Sequence, residues 1–174
     1  MAEPSVTGRE VRTERLLLRP FRSSDVDGIR RYAKDERYRR YLSPHQPDAE
    51  EFVAHNVDVD WSVQRSWVIT LEDAIVGSAF LGINFEDDAA ELICLVDPRF
   101  WGMAIGGEAA GAALEHAFVE LGLAKVVGRT DPRHTAAIRL MEKLGMRHKG
   151  PTHTDAVIYE ISRADWSRAR SDAR

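Results

Sequence analysis

The residues best suited to chemistry lie between Glu91 and Ala109, where an apolar segment gives way to a run of small residues. The apolar segment ends at Asp97-Pro98, and the small residues that follow are Gly102, Ala104, Gly106 and Gly107. Small side chains let several backbone N–H groups converge on one point, and a helix N-terminus adds roughly half a positive charge. This pattern suits a phosphate or pyrophosphate. The spacing alone leaves a second interpretation open, a tight strand-to-helix turn whose glycines only permit close packing.

Two familiar phosphate motifs do not explain this run. The G-x-G-x-x-G spacing of dinucleotide-binding proteins does not occur, and there is no Gly-Lys-Ser/Thr sequence of a P-loop. The proposed donors to a phosphate group are therefore the backbone amides of the small residues.

Three of the titratable side chains in or beside this run are candidates for a chemical role. Glu91 is the polar residue of the segment Ala89–Val96, and near a cleft it could accept a proton from an ammonium, directly or through water. The alternative is an exposed carboxylate at the end of a strand. Cys94 has no base in the sequence that marks it as activated, which favours a buried strand residue over an acyl-cysteine. Glu108 falls in the first turns of the predicted helix, where an acid stabilises the dipole.

Composition restricts the class of protein. The 174 residues suit one domain of roughly 100–200 residues, and a lone cysteine forms no internal disulfide and suggests a reducing, cytoplasmic setting. The net charge of -4, from 24 basic and 28 acidic residues, disfavours a nucleic-acid partner. No run approaches the ~20 apolar residues of a membrane helix, and the N-terminus lacks the pattern of a signal peptide.

Hydrophobic periodicity predicts the order β-α-α-β-β-β-α-β-α-β-β, an α/β or α+β fold with helices packed on a mixed sheet. We expect a flexible N-terminus over residues 1–10, one domain over 11–166 and a flexible tail over 167–174. The second, third and fourth of six predicted strands form an antiparallel meander. The six are Val11–Pro20, Trp67–Leu71, Ile75–Phe85, Ala89–Val96, Lys125–Thr130 and Val157–Ile161. The predicted helices begin near Ser23 and Pro47 and span Gly102–Leu121 and Ala136–Leu144.

Four stretches in this order resemble one family. Val96–Ala109 resembles the acyl-CoA pyrophosphate loop of the GNAT superfamily of N-acyltransferases. Thr13–Pro20, Asp131–Met146 and Asp155–Ile161 with Trp166 are similar to the ribosomal-protein N-terminal acetyltransferase (RimJ/RimL-like) branch. The resemblance covers about residues 11–166. It implies a mostly antiparallel central sheet with helices on both faces.

The resemblance also implies roles for particular residues. A β-bulge would free backbone groups of Leu95, Val96 and Asp97 to pair with the pantetheine of acetyl-CoA, and the Val96 amide would polarise the thioester carbonyl. Glu91 would deprotonate a primary amine of a small molecule or a peptide N-terminus. No metal or membrane is implied, and a homodimer would be ordinary for this branch. The remaining cofactor-binding residues, mostly through their amides, would be Gly102, Met103, Ala104, Ile105, Gly106, Gly107 and His134.

The sequence departs from the family's usual pattern at five positions. Met103 and Ala104 replace a basic or Gln residue and a glycine, and His134 and Ala137 replace an asparagine and a serine. Met141 stands where other branches have a tyrosine that protonates the departing thiolate. These departures support an alternative, a catalytically degenerate acyl-CoA-binding or regulatory module. The resemblance also places a group of acids in segments near the acceptor groove, where it would attract a cationic amine, with ordinary turn and surface residues as an equal alternative: Asp58, Asp60, Glu86, Asp87 and Asp88.

Overall fold

The structure, a computed structural model, describes residues 5–7, 9–151 and 156–172. Residues 1–4 and 8 of the predicted N-terminal segment, Asp155 and residues 173–174 lie outside the described residues. The described strands are β1 (Ser5–Thr7), β2 (Glu10–Arg12), β3 (Leu16–Pro20), β4 (Gln64–Leu71), β5 (Ala74–Asn84), β6 (Ala89–Val96), β7 (Lys125–Thr130), β8 (Arg147–Pro151) and β9 (Val157–Ser162). The described helices are α1 (Val26–Ala33), α2 (Glu36–Arg39), α3 (Ala49–Val57), α4 (Ile105–Glu115), α5 (Thr135–Lys143) and α6 (Arg163–Asp172).

The strands form one sheet in the order β1-β2-β3-β4-β5-β6-β7-β9-β8. Neighbouring strands are antiparallel except β6 and β7, which are parallel. The mixed, mostly antiparallel sheet and the β4–β5–β6 meander predicted from the sequence are therefore confirmed.

Alternate residues of β4 belong to different cores, which shows that helices cover both faces of the sheet. Trp67 and Ile69 pack in the core that contains α4. Val68 packs with Ile29 of α1 and Val53 of α3. Because successive strand side chains point to opposite faces, α4 lies on one face and α1 to α3 lie on the other.

Two of the differences between the predicted and observed element boundaries have a direct structural cause. The single strand expected over Val11–Pro20 is divided between β2 and β3 by a turn, in which the Thr13 amide donates to the Leu16 carbonyl at 2.9 Å. The helix expected from Gly102 begins only at Ile105, because Gly102 and Ala104 have positive φ angles of 81° and 61°.

A helix, α6, occupies most of the segment predicted as a loose tail. The Ser162 hydroxyl accepts a hydrogen bond from the Asp165 amide at 3.1 Å and caps the first turn. Trp166 packs on Phe118 with ring centroids 5.3 Å apart. Arg170 pairs with Glu115 of α4 at 2.8 Å. The contacts of Trp166 and Arg170 are made with residues distant in sequence, and the polar composition of the segment does not reveal them.

Candidate active site

The central feature of the site is an opening between β6 and β7. The two strands pair only where Ala89–Glu91 lies beside Lys125–Val127, whereas β6 continues to pair with β5 as far as Val96. Beyond Glu91 the parallel strands separate. The helices α4 and α5 follow at this same end, so the opening is a crevice at the carboxyl ends of adjacent parallel strands, a common place for ligands.

The separation does not come from the predicted bulge in β6. The register of β5 and β6 runs without a shift from Gly77 opposite Val96 to Asn84 opposite Ala89. The irregularity in this part of the sheet lies between β4 and β5 instead: Ile69 pairs with Gly77 and Thr70 with Ile75, so Val76 of β5 is the extra residue. The opening forms because β6 and β7 stop pairing after Glu91 and Val127.

Of the three residues expected to offer free backbone groups, the geometry favours Val96. The Asp97 amide donates to the Val76 carbonyl at 2.9 Å, and the Asp97 carbonyl accepts from the Phe100 amide at 2.9 Å. Successive amides of a strand point to opposite edges. The Leu95 amide therefore faces β5, as the Asp97 amide does, and the Val96 amide faces the opening. The expectation of free backbone groups is therefore wrong for Asp97, whose groups already have partners.

A glycine opposite the end of β6 is required by a close approach of the backbone. A Cβ placed on Gly77 would lie 2.2 Å from the Leu95 carbonyl oxygen, a distance no side chain tolerates. Gly77 therefore lets β5 and β6 stay together up to the opening.

The start of α4 presents a group of unpaired amides. Within the described residues, no acceptor pairs with the amides of five residues, Gly102, Ala104, Ile105, Gly106 and Gly107. The Met103 amide differs from its neighbours because it already donates to the Phe100 carbonyl at 3.4 Å. No side chain of the described residues caps α4. Unpaired amides at a helix N-terminus suit an anion.

Glu108 holds this loop against the neighbouring edge of the sheet. Its carboxylate accepts from the Thr13 hydroxyl at 2.5 Å and from the Arg15 amide at 3.0 Å, and it pairs with the Arg15 guanidinium. Arg15 also donates to the Met103 carbonyl at 3.1 Å. Burial acts to raise the pKa of Glu108, but the hydrogen bonds from Thr13 and Arg15 outweigh it and lower the pKa. Glu108 thus has a structural role.

His134 caps the helix that follows β7. Its Nδ1 accepts a hydrogen bond from the Ala137 amide at 2.9 Å, so Nδ1 is unprotonated and the neutral ring carries its proton on Nε2. Burial lowers the pKa of His134, which favours this neutral form, against the opposing charge of Asp131. The Tyr41 ring packs edge-on against the imidazole, with centroids 4.2 Å apart.

Trp101 and Tyr41 are site residues that the sequence analysis missed. Trp101 donates its indole N–H to the Val96 carbonyl at 2.9 Å, and the guanidinium of Arg37 lies 5.8 Å from its ring. The segment from Arg37 to Tyr41 therefore contacts residues that follow both β6 and β7. The indole of Trp101, five residues after Val96, was a local signal, whereas nothing near Tyr41 in the sequence indicates its contact with His134.

Glu91 lies at the closed end of the opening. Its side chain is one-third exposed and pairs with Arg129 at 3.0 Å. An extended strand rises about 3.3 Å per residue, which puts Glu91 roughly 16 Å along β6 from Val96. Direct proton transfer to Glu91 from an amine beside Val96 is therefore not possible without a chain of water molecules.

Cys94 is not arranged as a nucleophile. Its thiol faces the Gly106 carbonyl, with sulfur and oxygen 3.8 Å apart. Burial raises the pKa of the thiol to about 12, so the thiolate is scarce at neutral pH. The structural interpretation of Cys94 is favoured.

The acids expected near the acceptor lie at the opposite end of the sheet. Glu86, Asp87 and Asp88 form the turn between β5 and β6, and Asp58 and Asp60 precede β4. Arginines surround the open end instead, each paired with the aspartate two residues before it: Arg37 with Asp35, Arg99 with Asp97 and Arg133 with Asp131. The position of the expected acids favours the alternative that they are ordinary turn and surface residues.

Two further features of the described residues bear on the class of site. No group of three or more His, Cys, Asp or Glu side chains is arranged to hold a metal ion. No helix among these residues combines the length and apolar character needed to cross a membrane.

Comparison with known proteins identifies the family. Residues 15–147 match the model of the acetyltransferase (GNAT) domain, and the chain belongs to this family of acetyltransferases. It is 26% identical over 169 residues to "Uncharacterized N-acetyltransferase YnaD" of Bacillus subtilis (strain 168), covering 90% of this chain and 99% of that protein.

Solved structures agree with this assignment. The structure of an acetyltransferase (GNAT family) from Bacillus anthracis matches with a TM-score of 0.79 and 25% identity, over 89% of this chain and 99% of that one. Spermidine N-acetyltransferase from Vibrio cholerae, solved in complex with CoA and spermine, matches with a TM-score of 0.77 and 19% identity, over 89% of this chain and 99% of that one. This second likeness shows a shared fold.

Proposed function

We propose that the protein transfers the acetyl group of acetyl-CoA to a primary amine by direct attack in a ternary complex. The observation that carries this proposal is the group of five unpaired amides at the start of α4, beside the opening between β6 and β7. Acetyl-CoA, when bound, supplies an activated acyl thioester and a diphosphate.

The donor set of the site fits a diphosphate attached to an extended arm. The amides of Gly102 and Ala104–Gly107 converge where a helix begins, and they would hold the diphosphate. The Val96 amide and the Nε2–H of His134 are hydrogen-bond donors on the two sides of the opening, and they would pair with the amide groups and the thioester carbonyl of the arm. Leu95 and Asp97 then have the secondary role of fixing the end of β6.

An ammonium acceptor first loses one proton, and the resulting amine forms one N–C bond as one C–S bond breaks. The nitrogen then gives up a second proton, and the thiolate takes up one proton from the nitrogen or from solvent. The Val96 amide stabilises the negative charge that develops on the carbonyl oxygen. Glu91 remains the proposed base, acting through water because of its distance from Val96. Met141 is buried at the position where other branches carry a tyrosine acid, so the sulfur takes its proton from the amine or solvent.

The acceptor is proposed to be the amine of a small molecule or the N-terminus of a peptide, including a ribosomal protein. Ile93 is 45% exposed on β6. Alternation puts it on the same face as Glu91 and Leu95. This uncovered strip beside the opening supports entry of the acceptor from the side of the sheet that carries α1 to α3.

Calorimetric titration with CoA, ATP and NAD tests the donor, and thiol release from acetyl-CoA tests the transfer. We expect CoA to bind at least tenfold more tightly than ATP or NAD, and thiol release to depend on an amine in a panel of peptides, polyamines and aminoglycosides. Equal affinity for CoA, ATP and NAD would refute the proposal that acetyl-CoA is the acyl donor. Tight CoA binding with no acceptor-dependent thiol release would favour a non-catalytic CoA-binding module.

A further inference from the structure

A second polar cluster lies at the far end of α4, away from the opening. His116 is only 6% exposed, and among the described residues neither of its ring nitrogens has a hydrogen-bond partner. The Nη1 atom of Arg65 is likewise buried and unpaired. A neutral imidazole has one donor and one acceptor, and buried polar atoms are nearly always satisfied. Two neighbouring side chains with unpaired buried nitrogens therefore need an explanation.

Tryptophans surround these nitrogens. The Trp67 ring lies perpendicular to His116 with centroids 5.2 Å apart, and Arg65 lies on the same face of β4 as Trp67 because the two are separated by one residue. Trp61 packs on Trp67. The guanidinium carbon of Arg65 lies 5.6 Å from the centroid of the Trp61 ring, and the guanidinium carbon of Arg9 lies 4.9 Å from it. We call these five residues the Arg65–His116 cluster.

Among the described residues, the positive charge of the cluster has no balancing acid. The ion pairs formed by those residues include neither Arg9 nor Arg65. Burial, followed by the charge of Arg65, lowers the pKa of His116 to about 4. Burial and the charge of Arg9 lower the pKa of Arg65. The group that would satisfy both residues is therefore an acceptor with negative charge.

The helix also changes at this point. At His116, α4 gives way to a π-helical turn that runs to Glu120, in which the Leu121 amide donates to the His116 carbonyl at 3.1 Å. Such turns occur frequently at functional sites. The eleven residues of α4 separate this turn by about 16 Å from the amides of the acyl-donor site.

We propose that the Arg65–His116 cluster binds a small oxyanion, a phosphate or a carboxylate, at a site separate from that of the acyl donor. The anion accepts hydrogen bonds from Arg65 Nη1 and from the ring N–H of His116. Arg9, which is exposed, and the half-buried Trp61 form the entrance. A guanidinium is suited to this role because its planar donors match two oxygens of one anion.

Tryptophan fluorescence reports on this site, since Trp61 and Trp67 belong to it. The full chain is titrated with inorganic phosphate and with acetate, with and without saturating CoA, at constant ionic strength. We expect a saturable change in emission that persists with CoA present. In Arg65→Gln the apparent Kd should rise at least tenfold. Arg12→Gln removes an exposed arginine of β2 outside the cluster and is the matched control, with an unchanged Kd.

Each alternative gives a distinct result that overturns the proposal. The absence of a saturable change in the wild type would mean that an ordered water satisfies His116 and Arg65. A response that CoA abolishes would place the anion at the start of α4. An equal Kd in Arg65→Gln and the wild type would place it elsewhere on the surface. Circular dichroism of Arg65→Gln checks that the variant is folded, and His116→Gln provides a second variant that removes the imidazole.

Discussion

The indole N–H of Trp101 donates to the carbonyl of Val96, with 2.9 Å between nitrogen and oxygen. This bond turns the chain back after β6 and fixes the peptide group that follows Val96. The amide of the same residue faces the opening and is proposed to polarise the thioester. Trp101 is therefore a positioning residue for the proposed reaction.

Trp101→Phe should lower kcat by about three- to tenfold, because it removes this hydrogen bond while keeping an aromatic ring beneath Arg37. The apparent KM for acetyl-CoA should change less than kcat, since the amides of α4 are untouched. Steady-state kinetics measures both constants. Trp166→Phe, at a tryptophan that packs on Phe118 outside the opening, is the control and should leave kcat unchanged. A larger loss in the control than in Trp101→Phe would contradict the positioning role.

The first turn of α4 allows a graded test of the amide site. A Cβ on Gly106 would lie 3.5 Å from Leu140 and from Val96, so Gly106→Ala should be tolerated. Gly106→Val should weaken CoA binding at least tenfold, because its methyl groups must displace these side chains or cover the amides. Calorimetry with CoA measures the effect.

Gly111→Ala is the matched control for the glycine series. Its added Cβ would lie 4.0 Å from Leu144, and it should stabilise the middle of α4 by up to about 1 kcal/mol. CoA affinity should not change. Normal affinity in Gly106→Val would place the pyrophosphate site outside this turn.

Glu91 and Arg129 form an ion pair, and variants of the two residues distinguish a catalytic role of Glu91 from a structural one. Glu91→Gln should lower turnover at neutral pH while CoA affinity stays within twofold, because the carboxylate lies far from the α4 amides. Arg129→Gln breaks the same half-exposed ion pair, which is worth at most about 1 kcal/mol, but keeps the carboxylate. Steady-state kinetics compares the turnover of the two variants. Equal turnover in Glu91→Gln and Arg129→Gln would assign Glu91 a structural role only.

Glu108 makes the stability of the loop dependent on pH. Because Thr13 and Arg15 lower its pKa in the folded state, its contribution to stability is fully present above the unfolded pKa of about 4.3. That contribution is lost as the pH falls through the lower folded pKa. Glu108→Gln should lower the free energy of unfolding by about 1–2 kcal/mol at pH 7.

Urea denaturation at pH 7 and at pH 3 measures this contribution. The difference between Glu108→Gln and the wild type should be smaller at pH 3 than at pH 7. Arg12→Gln removes an exposed ion pair with Glu10 on β2 and should cost little at either pH. A Glu108→Gln deficit that grew on acidification would contradict the lowered pKa.

His134 can be compared with the residue usual in the family. His134→Asn should keep the cap of α5, because asparagine is a good N-cap residue, and should retain CoA affinity within about threefold. His134→Ala should lose both the cap, at a cost of about 1 kcal/mol, and the Nε2–H donor. Thermal denaturation and CoA calorimetry distinguish these effects. Equal CoA affinities in all three proteins would remove His134 from the binding site.

Local signals predicted the parts of the site that lie within one stretch of chain. The turn at Asp97-Pro98 and the small residues after it indicated the strand, the loop and the helix start in their observed order. In this stretch each element follows from residues close in sequence. The place of Glu108 in the first turns of α4 indicated a structural role, but its partners Thr13 and Arg15 lie in a distant segment that no local signal reveals.

The sequence could not predict the contacts that depend on the packing of distant segments. The packing of Tyr41 on His134 brings together two residues far apart in the chain. The acids of the β5–β6 turn were assigned to the wrong end of the sheet, because the direction of β6 relative to the opening is a property of the fold. The Asp97 amide, expected to be free, donates to the Val76 carbonyl, and this pairing depends on the register of β5 and β6.

The central claim is that the amides at the start of α4 bind the diphosphate of CoA, and a crystal structure of the complex tests it most directly. We predict diphosphate density within hydrogen-bonding distance of the amides of Gly102 and Ala104–Gly107, with the pantetheine arm between β6 and β7. Well-defined CoA density away from this turn, with those amides still unpaired, would contradict the account.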